Sequence, residues 1–193
     1  MAERAMDSHP DGLDQPDPLR VTVVVGSTRQ GRLGPVVATW IWKRLQARPD
    51  VEELYFDLAC VEPPDPGFAG AVDQADAVIV VTPEYNHSFP GPLKTAIDSL
   101  REEWRAKPVG FVSYGGISGG LRAVEALRVV FAELHAVTVR ETVSVAHPWE
   151  KITSDGALDE SPEMADAADR LLEQLRWWAE AVRARHNDMP YVG

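Results

Sequence analysis

Ala77-Val78-Ile79-Val80-Val81-Thr82-Pro83-Glu84-Tyr85-Asn86-His87-Ser88 runs from an unbroken apolar, mostly β-branched stretch straight into a polar loop. Apolar residues without alternation read as a strand covered on both faces, the pattern of a parallel sheet. A loop at the carboxyl end of such a strand is where open α/β sheets bind ligands, because helix N-termini and free backbone N–H groups converge there. Two other segments repeat the arrangement. Leu19 to Val25 leads into Gly26-Ser27-Thr28-Arg29-Gln30-Gly31-Arg32, and Pro108 to Val112 leads into Ser113-Tyr114-Gly115-Gly116-Ile117-Ser118-Gly119-Gly120. Carried by the first, third and fourth strands of one sheet, these loops describe a single cofactor site.

Between these segments the apolar period becomes that of helices. Pro35 suits a first helical turn, and Val36, Val37, Trp40, Ile41, Arg44 and Leu45 follow at helical spacing. Val51 to Leu58 reads as the second strand, 62–67 with its prolines as a loop, and 68–74 as a short helix. Gly91-Pro92 opens a helix with Leu93, Ala96, Ile97, Leu100 and Trp104 on one face. Val124, Leu127, Val130, Phe131 and Leu134 mark another over 119–134. A fifth strand spans Val137 to Val145, and a long closing helix carries Met164, Ala168, Leu171, Leu172, Leu175, Trp178, Ala179 and Val182. Strand and helix alternate without an internal repeat. Right-handed crossovers then predict a doubly wound, three-layer α/β sandwich on a five-stranded parallel sheet.

The 193-residue chain is long enough for one domain with a substantial core, expected over 19–185. Glu3, Asp7, Asp11, Asp14 and Asp17 outnumber Arg4 in a proline-bearing opening, so 1–18 reads as a disordered acidic tail. Residues 186–193 read as a short C-terminal tail. The formal net charge of −11, without a basic stripe, speaks against nucleic-acid binding. No apolar run of about eighteen residues suggests a membrane span. Cys60 is the only cysteine, which fits a reducing cytoplasm.

The first loop fails two phosphate signatures. A P-loop needs lysine and a hydroxyl residue after its last glycine, where this chain has Arg32 and Leu33. A dinucleotide fingerprint needs glycine where Thr28 stands. What remains is the Ser27 hydroxyl, the Arg29 and Arg32 guanidinium groups and backbone N–H groups ahead of a helix, a set suited to one terminal phosphate. A tight turn with solvated arginines is the competing account. In the second loop Pro83 and Pro90 give stiffness, Tyr85 an aromatic surface, and Asn86 the donor and acceptor that match a heteroaromatic edge. Ordinary packing of Tyr85 and Phe89 is the alternative there. Glu84 and His87 lack motif partners for acid–base work. In the third loop the glycine pairs let backbone approach a flat ligand, or make a flexible turn that binds nothing.

Gly26-Ser27-Thr28-Arg29, Pro83-Glu84-Tyr85-Asn86 with Pro90-Gly91-x-Leu93-Lys94-x-Ala96-Ile97-Asp98, and Tyr114-Gly115-Gly116-x-Ser118-Gly119-Gly120 together resemble the NAD(P)H-dependent FMN reductase family. These are flavodoxin-like flavoproteins that include quinone, chromate and azo-dye reductases. The resemblance covers roughly residues 20–147. It implies a flavodoxin-like sandwich, bound FMN, and NADPH or NADH as electron donor. Carried over by position, Ser27 and Arg29 bind the FMN phosphate. Pro83, Glu84, Tyr85 and Asn86 contact the flavin, with Ser113, Tyr114, Gly115 and Gly116 opposite. Many members continue the first loop with a serine and an asparagine, where this chain has Arg32, Leu33 and Gly34. Arg32 there compensates by charge or points to solvent, and backbone through Gly34 can still serve; both stay candidates for the cofactor site.

The implied activity passes hydride from the nicotinamide to FMN and on to a small acceptor such as a free flavin or quinone, by ping-pong kinetics. No catalytic side chain and no metal is expected, because the cofactor carries the chemistry. A flavodoxin-type electron carrier is the alternative. A nucleotide-binding domain using Asp57 on a ribose is a weaker third. The family commonly completes its site with a neighbouring chain, which implies a homodimer or tetramer. Its contacts are expected on the helix carrying Leu93, Ile97, Leu100 and Trp104 and on the helix from Leu121 to Leu134. Trp149 and the pair Trp177-Trp178 read as packing, with a place for Trp149 in the acceptor pocket as the sharper option.

Overall fold

The structure is a computed structural model that describes residues 17–192, so most of the expected acidic tail, 1–16, lies outside it. The elements follow in strict alternation: β1 (Leu19–Val25), α1 (Gly34–Gln46), β2 (Val51–Asp57), α2 (Pro66–Asp73), β3 (Ala77–Pro83), α3 (Gly91–Asp98), β4 (Pro108–Gly115), α4 (Leu121–Glu133), β5 (Val137–Ala146) and α5 (Pro162–Asp188). The strands form one parallel sheet in the order β2-β1-β3-β4-β5. This is the flavodoxin-like doubly wound order, in which the chain reverses its direction across the sheet between β1 and β3 and opens a crevice there. The expected five-stranded parallel α/β sandwich therefore forms.

Alternate residues of the central strands feed two cores. Val23, Val25, Ile79, Val81 and Val112 pack beneath α1 and α5, against Val37, Ile41, Leu171 and Leu175. Val24, Val78, Val80 and Phe111 pack beneath α2, α3 and α4, against Phe68, Leu93, Ile97, Leu127 and Phe131. Every residue of β3 is buried, as its continuous apolar pattern requires, whereas β2 forms an edge and leaves Leu54 and Tyr55 exposed. Burial of such apolar surface stabilises by about 25 cal/mol per Å².

Several boundaries differ from the sequence expectation. β3 and β4 continue past the apolar runs, pairing Thr82 with Ser113 and Pro83 with Tyr114, so parallel hydrogen bonding carries polar residues into the sheet. β2 stops at Asp57 because the chain turns into a 3-10 segment at Leu58–Cys60. The spacing through Leu100 and Trp104 suggests one long helix, but α3 ends at Asp98. Trp104 sits in a following 3-10 turn and its indole N–H donates to the Ile97 carbonyl at 3.1 Å. That bond adds a side-chain donor to a carbonyl that already accepts the Leu100 N–H at 3.3 Å, and ties the turn back to the helix end. α5 runs on through His186 to Asp188, into the segment read as a C-terminal tail. No helix among the described residues is long and apolar enough to cross a membrane.

Candidate functional site

The three loops meet at the carboxyl ends of β1, β3 and β4, at the switch point. The first leaves β1 with the Gly26 N–H on the Val81 carbonyl at 2.8 Å. A Cβ on Gly26 would lie 2.9 Å from Leu93 Cδ2, so only glycine lets α3 approach this closely. Ser27 is fully buried, and its hydroxyl accepts the Tyr114 phenol O–H at 3.1 Å. Burial pushes the Tyr114 phenol well above the ordinary range, outweighing the hydrogen bond to Ser27, so it stays protonated as a donor. Among the described residues, the backbone N–H groups of 27–32 donate to no protein acceptor. α1 follows with no side-chain cap at Leu33 and no acid in its first turn. A helix N-terminus with open donors is an anion receptor.

The two arginines of this loop behave differently. Arg32 lies against the Asp57 carboxylate at 2.5 and 2.7 Å and also donates to the Ser27 carbonyl. Asp57 further accepts the Ala59 N–H at 3.0 Å. Arg32 is thereby neutralised and braces the loop, and Asp57 is engaged rather than held out for a ribose. Arg29 pairs with no carboxylate among the described residues; its guanidinium carbon sits 3.7 Å above the centre of the Tyr85 ring. A weakly hydrated, planar cation suits that contact.

The second loop is a tight hairpin turn. Tyr85 and Ser88 exchange backbone hydrogen bonds at 2.8 and 3.0 Å, and Asn86 and His87 between them take φ of 51° and 67°. Two consecutive left-handed residues make the turn that favours asparagine at its tip. Glu84 points the other way, with its side chain only 8% exposed. It accepts the Ser118 hydroxyl at 2.7 Å and the Arg122 N–H at 3.1 Å, and pairs with the Arg122 guanidinium. Burial alone would raise this carboxyl, but the bonds from Ser118 and Arg122 outweigh it and hold its pKa below the usual carboxylate value.

The third loop begins at Gly116, which is exposed and has open space around it. Gly120 precedes α4 with φ of 92°, and a Cβ there would lie 2.7 Å from Ser113 Cβ and 2.8 Å from the Tyr114 nitrogen. The fully buried Ser113 hydroxyl donates to the Gly119 carbonyl at 2.9 Å. Beyond β5, the His147 N–H donates to the Gly115 carbonyl at 2.8 Å, which ties the start of the next segment to this loop.

The profile of the NADPH-dependent FMN reductase family matches residues 19–150, which include all three loops. The chain belongs to this family. It is 29% identical over 195 residues to a probable NADPH:quinone oxidoreductase 2 of Oryza sativa subsp. japonica, covering 91% of this chain and 96% of that protein. It is 33% identical over 141 residues to a quinone reductase of Escherichia coli K12, covering 64% of this chain and 74% of that protein. The chain spans 60% of the length of an NAD(P)H-dependent FMN reductase of Schizosaccharomyces pombe to which it is 32% identical. Among solved structures, the flavoenzyme NAD(P)H:(acceptor) oxidoreductase of Paracoccus denitrificans superposes with a TM-score of 0.66 at 21% identity, covering 84% of this chain and 98% of that one. An archaeal flavodoxin gives a TM-score of 0.58 at 14% identity over 83% of this chain and 99% of that one. The fold is flavodoxin-like, and the enzyme is an NAD(P)H-dependent flavin reductase with FMN as its cofactor.

In this reductase the Ser27 hydroxyl, Gly34 and the Tyr114 phenol meet at the start of α1, and Arg29 lies on the Tyr85 ring. Pro83, Asn86, Gly115 and Gly116 lie at the ends of β3 and β4 and in the loops that leave them. A Cβ on Gly34 would lie 2.2 Å from Ser27 Oγ, so this glycine keeps the loop in place. The side chains of Arg32, Glu84 and Ser113 turn to protein partners instead. Asp57, Ser118 and Arg122 are residues that sequence reasoning did not assign to the site, and no spacing rule links residues so far apart. Trp149 is 55% exposed and Trp177 63%, so neither packs in the core of this chain. Trp149 instead meets His147 edge to face at 5.4 Å. Leu93, Ile97, Leu100 and Trp104, whose helix is expected to carry a subunit contact, are themselves buried in the protein's own core.

Proposed function

We propose that this reductase holds the FMN phosphate on the open N–H groups of 27–32 and on Arg29, with the ring system between the Tyr85 turn and the glycine loop at 115–116. The observation that carries this reading is the uncapped N-terminus of α1 behind a loop whose donors have no protein acceptor among the described residues. A single receptor for one phosphate suits a mononucleotide. FMN, when bound, supplies a position that takes hydride from NADPH or NADH and yields it to an acceptor.

The protein's own contribution is placement. Arg32 and Asp57 brace the phosphate loop, and the protonated Tyr114 fixes the Ser27 hydroxyl, so the loop needs little rearrangement to receive the anion. Backbone N–H groups of the glycine loop would stabilise negative charge developing on a bound flavin ring. The exposed face of the site serves donor and acceptor in turn, which makes the kinetics ping-pong with a free flavin or quinone as acceptor. The working assembly is a homodimer or tetramer in the cytoplasm. Its contacts fall on exposed residues such as Leu121 and Val129 of α4, because the apolar residues of α3 are buried.

Heat-released cofactor identified by chromatography, followed by stopped-flow mixing of the holoenzyme with NADPH alone, tests the reading. FMN as the flavin and rapid bleaching of its absorbance without a partner protein are expected. FAD as the sole flavin, or no reduction until a partner is added, overturns it.

A further inference from the structure

We propose that Glu84 is a positioning residue whose carboxylate, gripped by Ser118 and Arg122, sets the spacing between the Tyr85 turn and the glycine loop and so the width of the slot for the flat flavin ring. The inference rests on the FMN reading above and deepens it. On its backbone side Glu84 donates to the Tyr114 carbonyl at 3.0 Å, the last rung that ties the two loops through main chain. On its side-chain side it reaches the first turn of α4, where a carboxylate meets both the helix dipole and an unpaired N–H. The Ser118 hydroxyl that donates to Glu84 also accepts the Gly120 N–H at 3.3 Å, so the grip extends to the left-handed glycine that starts the helix. The two walls approach closely at their base, where a Cβ on Gly115 would lie 3.4 Å from Glu84 Cβ.

The same contacts exclude a general-acid role. The carboxylate oxygens already accept from Ser118 and from the Arg122 side chain and N–H, leaving the group buried and ionised. An ionised carboxylate has no proton to give. With Glu84 seated on the N-terminus of α4, the protein's own carboxylate already fills the anion position of that helix end.

Hydrogen exchange of the flavin-free full-length protein tests the clamp without any turnover. In Glu84→Ala the amides of 116–122 are expected to exchange about tenfold faster, from a lost charge-assisted bond, while those of β1 stay protected. FMN affinity measured by titration is expected to fall about tenfold. Glu84→Gln keeps an acceptor for Ser118 and the Arg122 N–H and should restore most of both. The double variant Glu84→Ala/Arg122→Ala should bind FMN no more weakly than Glu84→Ala, because the two residues act as one unit. If Glu84→Ala does not fold, Ser118→Ala, which removes one hydroxyl, is expected to give the same change at smaller size. Unchanged exchange at 116–122 overturns the proposal, whether or not affinity falls. A wild-type protein that binds no FMN would instead overturn the functional reading, and the exchange result would still decide the clamp.

Discussion

The two ends of the sheet differ in what their polar groups are doing. At the amino end a groove of about 420 Å³ runs past Asp76, Lys107, Arg183 and His186, yet its main charges are already held. Arg183 donates to the Asp76 carboxylate and to the Asp17 and Pro18 carbonyls, and Asp76 also accepts the Arg20 N–H at 2.8 Å. Lys107 caps the carbonyls of Asp73 and Ala75 at the end of α2. At the carboxyl end the loop 27–32 keeps its N–H groups open, and Arg29 rests on an aromatic face rather than on a carboxylate. Hollow space therefore does not mark the site in this protein. The N–H groups of 27–32, which among the described residues meet no protein acceptor ahead of α1, mark it better, because such donors stay available to an anion.

The contrast can be broken most severely at Gly120, where a side chain meets both a positive φ and the backbone of β4. Gly120→Ala is expected to lose about 3 kcal/mol of stability, from overpacking plus left-handed strain, and FMN binding with it. Denaturant unfolding with a parallel FMN titration measures both; an unshifted midpoint would show that the loop moves aside freely. Arg29→Ala sharpens the contrast. FMN affinity should fall ten- to a hundredfold, roughly 1.5–3 kcal/mol, while the flavin-free protein keeps its stability to within about 0.5 kcal/mol. An unchanged affinity would remove Arg29 from the phosphate site. Asp76→Ala probes the other end and is the mildest change. It should cost about 1.5 kcal/mol of stability by leaving Arg183 unpaired, with FMN affinity unaltered. Weaker FMN binding in that variant would mean the two ends are coupled.

Much of this was legible in residue order. Apolar runs at 19–25, 77–81 and 108–112 located the central strands, and glycine loops after them located the crevice. One helical spacing misled. Leu100 and Trp104 continue the period of α3, yet the chain leaves the helix and Trp104 folds back to cap Ile97. The period reports which side chains face the core, and a 3-10 turn can present the same face. Pro83, Ser113 and Tyr114 look like loop residues by composition but belong to strands, since parallel pairing is backbone chemistry and tolerates polar side chains.

What the sequence by itself determined is the alternation of buried strands and helices, hence a parallel doubly wound sheet, and the loops at its ligand-binding edge. These follow from local composition, because burial on both faces demands continuous apolar runs. Only the tertiary structure decided which charges are free. Arg32 finds Asp57 25 residues away, Glu84 finds Arg122 38 residues away, and Asp76 finds Arg183 107 residues away. Such pairs arise where crossovers return the chain to the same end of the sheet. No local period records that meeting, so which arginines are held by carboxylates emerges only on folding.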